Sequence, residues 1–329
     1  MKKILVTGAT GFLGSHLLRR LVNREAGQII ALRRSDSSME LVKDVAEKVD
    51  WQVSDILDQD GLFEACKNID EIYHCAAIVS YHPALQQEMK KVNVEGTALL
   101  VNMALAQGVK RILHVSSIAA LGRVLGTKEV DENAKWAETK FVSHYGRTKH
   151  KAELEVWRGQ AEGLSTIMIN PSVILGPGNW DQGPPRFFKR IFEGQKFYPI
   201  GGTGFVDVRD VAEIAILAME SGLEGERIIV NAENLSFKNF FGSMASALGV
   251  NPPKTEATPF MANLAWRTEA IKARLFGGQP LLTRETAKTA MSTFLFDNQK
   301  SRSLFHFSYR PVQQTIEWTA NEFLRSTKT

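Results

Sequence analysis

Tyr145 and Lys149 stand four residues apart in Tyr145-Gly146-Arg147-Thr148-Lys149. On a helix that spacing puts both side chains on one face, about 5–6 Å apart at Cβ. A phenol beside an ammonium has its phenolate favoured, so its pKa is expected to fall from about 10. Such a phenol can give a proton to a carbonyl oxygen, or take one from an alcohol, near neutral pH. The chemistry also needs a second donor to hold the reacting oxygen. Ser116 and Ser117 supply hydroxyls just past the strand-like run that begins at Arg111, at the carboxyl edge where open α/β sheets bind ligands.

A second reactive pattern opens the chain, Thr7-Gly8-Ala9-Thr10-Gly11-Phe12-Leu13-Gly14. Glycines here let the backbone approach a pyrophosphate, and the helix that follows offers free N–H groups and the positive end of its dipole. The spacing is G-x-x-G-x-x-G rather than the common G-x-G-x-x-G. Its place between a strand and a helix reads as a dinucleotide site, in which Gly8, Thr10, Gly11, Phe12, Leu13 and Gly14 cradle the phosphates. After the second strand an acidic residue would take the ribose of NAD and an arginine the 2′-phosphate of NADP. The chain has Leu32-Arg33-Arg34-Ser35 there. Guanidiniums meet phosphate through paired hydrogen bonds, so Arg33 and Arg34 point to NADP(H), with NAD(H) the alternative. Asp55, beside Ile56 after the third strand, can accept from the adenine amino group. Cys75, Ala76 and Ala77 are small enough for a cofactor to cross the sheet edge.

These residues need a scaffold. Short apolar runs at Lys3–Thr7, Gln28–Leu32, Trp51–Val53, Glu71–Cys75 and Arg111–Ser116 alternate with helical stretches at Phe12–Asn23, Gly61–Lys67 and Met89–Gln107. Near-continuous apolar, β-branched strands predict a parallel sheet covered on both faces, a doubly wound α/β fold. A helix over His144–Glu162 leads into a strand at Ser165–Ile169, which Pro171 ends. Beyond lie a Gly/Pro-rich loop at Gly176–Pro185, helices at Val211–Glu220, Phe237–Leu248 and Phe260–Leu275, and a strand at Arg227–Asn231. The expected organisation is a dinucleotide-binding domain over residues 1–170 carrying Ser117, Tyr145 and Lys149. A small, mostly helical substrate lobe over 171–329 is interleaved with it, residues 206–232 returning to the sheet.

Bulk properties narrow the function. The chain has 329 residues, 44% apolar and 23% charged, with a formal charge of +4, the composition of an ordinary globular protein. No run of five like charges marks a nucleic-acid footprint, and the apolar runs are strand-length rather than membrane-spanning. Two cysteines, Cys66 and Cys75, read as reduced thiols and place the protein in the cytoplasm. The start lacks the long apolar run of a signal peptide. No Cys/His/Asp cluster has metal spacing. His74 lies in an apolar strand and reads as a core histidine, and the basic stretch Trp266–Phe276 reads as a solvated helix face.

With these residues in place, the chain resembles the extended short-chain dehydrogenase/reductases, the NAD-dependent epimerase/dehydratase family. The likeness rests on Thr7–Gly14, Asp55-Ile56-Leu57, His74–Ala77, Asn93-Val94-Glu95-Gly96-Thr97, Val115–Gly122, Tyr145–Lys149, Asn170–Gly178 and Phe205–Val211. The family's catalytic serine precedes a glycine by five positions, which implies Ser117 with Gly122 rather than Ser116; Ser116 then belongs to the cofactor wall. The resemblance implies Tyr145 as acid/base, Lys149 as the residue that lowers its pKa and holds the nicotinamide ribose, and Asn93 as a structural hydrogen-bonding residue. Pro171 and Val173 are implied to line the nicotinamide pocket. Asn170-Pro171 departs from the Arg-Pro of many relatives.

Arg33, the Phe205–Val211 segment, Leu281-Leu282-Thr283 and Tyr309-Arg310-Pro311 resemble the dihydroflavonol-reductase-like and 3β-hydroxysteroid-dehydrogenase-like branch. The implied reaction is reversible hydride transfer between NADP(H) and a small-molecule carbonyl or secondary alcohol. Tyr81, Trp180 and Phe205 are candidate aromatic substrate contacts in loops near the pocket mouth, or packing aromatics of the lobe. Arg186 and Arg209 would suit a diphosphate, although Arg209 has Asp207 and Asp210 as neighbours. The alternatives are an NAD-dependent sugar-nucleotide epimerase or dehydratase, and a non-catalytic NADP-binding regulatory protein. Many relatives dimerise through the helices that here carry Tyr145 and Met89–Gln107; the sequence leaves the oligomeric state open.

Overall fold

The computed structural model describes residues 1–122, 129–139, 141–276 and 283–327, without the side chains of 269–276. Along the first half run β1 (Lys3–Thr7), α1 (Phe12–Asn23), β2 (Gln28–Arg33), β3 (Asp50–Val53), α2 (Gln59–Ala65), β4 (Glu71–His74), α3 (Gln86–Lys90), α4 (Gly96–Ala106), β5 (Arg111–Val115), α5 (His144–Ala161) and β6 (Ser165–Pro171). The second half adds β7 (Val173–Leu175), α6 (Arg186–Phe192), β8 (Phe197–Pro199), β9 (Gly202–Asp207), α7 (Val208–Glu220), β10 (Glu226–Val230), β11 (Glu233–Ser236), α8 (Phe237–Leu248), β12 (Thr255–Ala257), α9 (Pro259–Phe276), α10 (Arg284–Ala290), α11 (Gln299–Phe305) and α12 (Val312–Ser326).

Seven strands form one sheet in the order β10-β6-β5-β4-β1-β2-β3, and all their pairings are parallel. Parallel strands need crossovers over both faces, and the core divides accordingly. Ile4 and Val6 of β1 pack beneath α1 and α7, whereas Leu5 packs with Leu62, Leu100 and Val156 of α2, α4 and α5 on the other face. The chain reverses its sheet order between β1 and β4, which opens a crevice at their carboxyl ends.

The doubly wound fold expected from the alternation is the one found. Two smaller sheets escaped the sequence reading, β11-β9-β7 and β12-β8. Their strands are three to six residues long, too short to show a period above the helical signal around them. They belong to the otherwise helical C-terminal part, whose core joins Phe188, Phe205, Phe240, Phe241 and Ile316. β10 rejoins the large sheet beside β6, and α7 packs along α1.

The expected single helix over Met89–Gln107 is broken by a π-helical stretch at Lys91–Glu95, between α3 and α4. Such bulges mark places where a helix gives up regular bonding to aim a side chain. Here the aimed residue is Asn93, which is fully buried.

Candidate active site

The glycine turn is built for close backbone approach. Gly8 has φ +67°, and a Cβ there would lie 2.6 Å from the Ala76 amide nitrogen. A Cβ on Gly14 would lie 2.1 Å from the Gly8 carbonyl oxygen. Both positions therefore exclude any side chain. Gly11 caps α1 with no side-chain partner, and no acidic residue occupies the first turn, so the first amides of α1 keep donors for an external anion. A cradle that a Cβ would fill, closed by free helix amides, fits a dinucleotide pyrophosphate. Arg33 lies half-buried at the end of β2 and donates to the Arg34 carbonyl at 3.2 Å; Arg34 pairs with Asp36 at 3.2 Å. Asp55 is half-buried and accepts from the Leu57 amide at 2.9 Å.

Tyr145 and Lys149 lie in the first two turns of α5. Ser143 caps this helix by accepting from the Gly146 amide at 3.0 Å. A Cβ on Gly146 would lie 2.5 Å from the Ala119 carbonyl, so glycine lets α5 press against the turn that starts at Ser117. That approach brings the serine hydroxyl near enough to the phenol for Ser117 to pull the Tyr145 pKa down. The two serines have separate commitments. Ser116 is buried and donates to Glu153 at 2.5 Å, whereas Ser117 is partly exposed and accepts from the Ala119 amide at 3.1 Å.

Lys149 is 1% exposed. Its ammonium donates to the Val115 carbonyl at 2.9 Å and to His114 Nε2 at 3.2 Å. Burial lowers its pKa to about 8, with Glu153 pulling the other way. Tyr145 corrects the expectation of an acidified phenol. Burial raises its pKa well above the usual value, the neighbouring Tyr81 adds to this, and only Ser117 opposes it. The Lys149 ammonium, turned to Val115 and His114, is not among the groups that shift the phenol.

Asn93 accepts from the Ile78 amide at 2.7 Å and donates to the Ile78 carbonyl and to Thr148, at 2.9 and 3.0 Å. It thus ties the loop after β4 to α5. His74 bonds Thr7 and Thr97 through its two nitrogens, at 2.8 and 2.9 Å, and burial lowers its pKa to about 3. It is a neutral, satisfied core histidine. Cys66 and Cys75 are free thiols pushed up to about 12 by burial.

The three aromatic candidates separate. Tyr81 sits edge-on to Tyr145, ring centroids 6.1 Å apart. Phe205 is in β9 rather than a loop, is wholly buried, and stacks on Phe240 at 4.0 Å. Trp180 packs edge-on to Phe323 at 5.2 Å. Both serve the core of the C-terminal part, because β9 runs into it and α12 closes over the 176–185 loop. Pro171 is buried at the end of β6, and Val173 begins β7 half-buried. Arg209 forms a two-pronged ion pair with Asp207, at 2.9 and 2.6 Å, and stacks on Trp318 at 3.7 Å. Asp207 also caps α7, and Asp210 binds Arg310. These pairings make the Phe205–Val211 and Tyr309–Pro311 likenesses structural. Leu281 and Leu282 lie outside the described residues, as do the side chains of the basic stretch beyond Thr268.

Sequence reasoning passed over His114, Glu153, Asn170 as a donor, and Arg227. The one available signal was Glu153, four residues after Lys149 and so on its face of α5. Among the described residues no group of His, Cys, Asp and Glu could hold a metal ion, and no helix is long and apolar enough to cross a membrane.

The model of the NAD dependent epimerase/dehydratase family matches residues 4–232. The chain is 31% identical over 280 residues to "Sterol demethylase protein B" of Methylococcus capsulatus, covering 83% of each chain. It is 29% identical over 323 residues to a Synechocystis sp. protein provisionally named dihydroflavonol 4-reductase, covering 94% of this chain and 91% of that one. The crystal structure of gox2253 superposes with a TM-score of 0.84 at 31% identity, over 99% of both chains.

Proposed function

The chain belongs to the NAD-dependent epimerase/dehydratase family, the extended short-chain dehydrogenase/reductases, and from that membership we propose an NADP(H)-dependent oxidoreductase that reduces a small-molecule carbonyl or oxidises the matching secondary alcohol. The observation that carries the reading is the close packing of the start of α5, with Tyr145, on the turn that begins at Ser117, with Lys149 buried one helical turn further on. Gly8, Gly11 and Gly14 would hold the cofactor's pyrophosphate, and Arg33 and Arg34 its 2′-phosphate. When bound there, the cofactor supplies or accepts the hydride.

The chain's own residues do the rest. Ser117 offers a hydroxyl to the reacting oxygen, and such a donor contributes most when charge develops on that oxygen in the transition state. Tyr145 transfers the proton at the same oxygen. Its pKa, raised by burial, keeps the phenol protonated, the form that donates in the reduction. Lys149, one helical turn from Tyr145, is held in place by Val115 and His114. Tyr81 forms one wall of the substrate site.

Mass spectrometry of nucleotide released from the purified protein tests this reading. NADP(H), with NADPH oxidation by a ketone or aldehyde panel, is expected. Tightly held NAD with no such oxidation would overturn it in favour of a sugar-nucleotide epimerase. Arg33→Asp tests the cofactor preference. Charge-assisted hydrogen bonds to phosphate contribute about 1.5–3 kcal/mol, so NADPH affinity should fall on the order of 10–100-fold while NADH affinity holds or rises. Equal affinities in the parent protein, read by fluorescence titration, would refute the assignment.

A further inference from the structure

Glu153 follows Lys149 by one turn on α5 and is wholly buried. One carboxylate oxygen accepts from Ser116 Oγ at 2.5 Å and from Asn170 Nδ2 at 2.6 Å. The same Asn170 nitrogen donates to the Ser117 carbonyl at 3.0 Å. The other carboxylate oxygen has no hydrogen bond and faces the Arg227 guanidinium at 3.5 Å. Arg227, on β10, is itself fixed by the carbonyls of Glu132 and Ala134, at 2.7 and 2.8 Å. The guanidinium thus comes from β10, the strand paired with the one that carries Asn170.

We propose that Glu153 is a positioning residue, clamped by Ser116, Asn170 and Arg227, that fixes the Ser117 backbone through Asn170 and holds the charge of Lys149. The inference rests on the reading of Ser117, Tyr145 and Lys149 as the catalytic group. A buried carboxylate held by several donors stays ionised only while they remain. Burial pushes the Glu153 pKa up, and Ser116, Asn170, Arg227 and Lys149 each pull it down. The charged and titratable groups that face Glu153 and Lys149, besides each other, are Arg227 on β10, Cys75 after β4, and His114 and His74 on β5 and β4. His114 and His74 are held neutral by burial. Glu153, one turn further along α5, opposes the effect of burial on Lys149 and favours its ammonium.

Glu153→Gln preserves the shape and removes the charge. The alkaline limb of the kcat/KM profile, set by Lys149 near 8, should move toward acid by about one pH unit, and kcat/KM at pH 8 should fall about fivefold. NMR titration of Lys149 in the free protein should show the same displacement. Arg227→Gln should move the limb in the same direction, and its effect should vanish in the Glu153→Gln background, because coupled residues are not additive. A folded Glu153→Gln protein with an unmoved limb and an unmoved Lys149 titration overturns the proposal. If that variant does not fold, an unmoved limb in Arg227→Gln overturns it instead. Tyr145→Phe in parallel separates the two levels: inactivity there with no displaced limb defeats only the role of Glu153, whereas full activity defeats the catalytic reading beneath it.

Discussion

Tyr145→Phe is expected to bind NADPH with the parent's affinity and to lose turnover by about 10²–10⁴-fold, the range a positioned proton donor contributes. The substitution leaves the ring in place. The ring is 8% exposed, sits edge-on to Tyr81, and keeps its packing as phenylalanine. What disappears is the hydroxyl beside Ser117, whose own oxygen keeps the Ala119 amide as a partner. The stability change should therefore stay within about 1 kcal/mol, the net contribution of one hydrogen bond. The cofactor cradle shares no side chain with Tyr145, so fluorescence titration with NADPH should be unchanged. Parent-like turnover on a carbonyl substrate that the parent reduces would remove Tyr145 from the chemistry.

Lys149→Met should cost turnover on the order of 10²–10³-fold and, against intuition, relieve the fold of a burden at neutral pH. Lys149 is 1% exposed, and burial lowers its pKa from 10.5 to about 8. The unfolded chain then holds more protons than the folded one between those values, so the lysine's contribution to stability falls as pH drops through that window and is lowest below about 8. The depression corresponds to about 3 kcal/mol set against folding. Methionine fills the same space without a charge, though it leaves the Val115 carbonyl unpaired, which costs about 1–3 kcal/mol at every pH. The two nearly cancel near pH 7. The telling measurement is the pH dependence of the difference in denaturant stability: the parent should gain on the variant by up to about 3 kcal/mol from pH 8 to 10.5. A difference that stays flat across that range would contradict the buried, pKa-shifted ammonium. The two variants together separate a group that moves the proton from one that holds a charge near it.

Much of this was legible from local patterns. Gly8 and Gly14 read as a turn needing bare backbone because a strand precedes them and a helix follows, and the reason is local: a positive φ at one and a 2.1 Å approach at the other. Tyr145 and Lys149 read as a pair because helical spacing alone puts them on one face. The choice of Ser117 over Ser116 came from the family's serine-to-glycine spacing, and the structure gives the two hydroxyls different partners. The short strands β7, β9 and β11 were invisible because each gains its bonds from partners distant in sequence.

The chain by itself determined the alternating α/β order, the glycine turn, the arginines after β2 and the Tyr-Lys face, since each depends on residues within a turn or a strand of one another. The tertiary structure decided the rest. It sent Phe205 and Trp180 into the core of the C-terminal part while leaving Tyr81 against Tyr145. It brought Arg227 from β10 to Glu153, and it turned the Lys149 ammonium toward β5. Burial reversed the expected shift of Tyr145, because desolvation depends on everything packed around a group, whereas spacing along a helix specifies one neighbour.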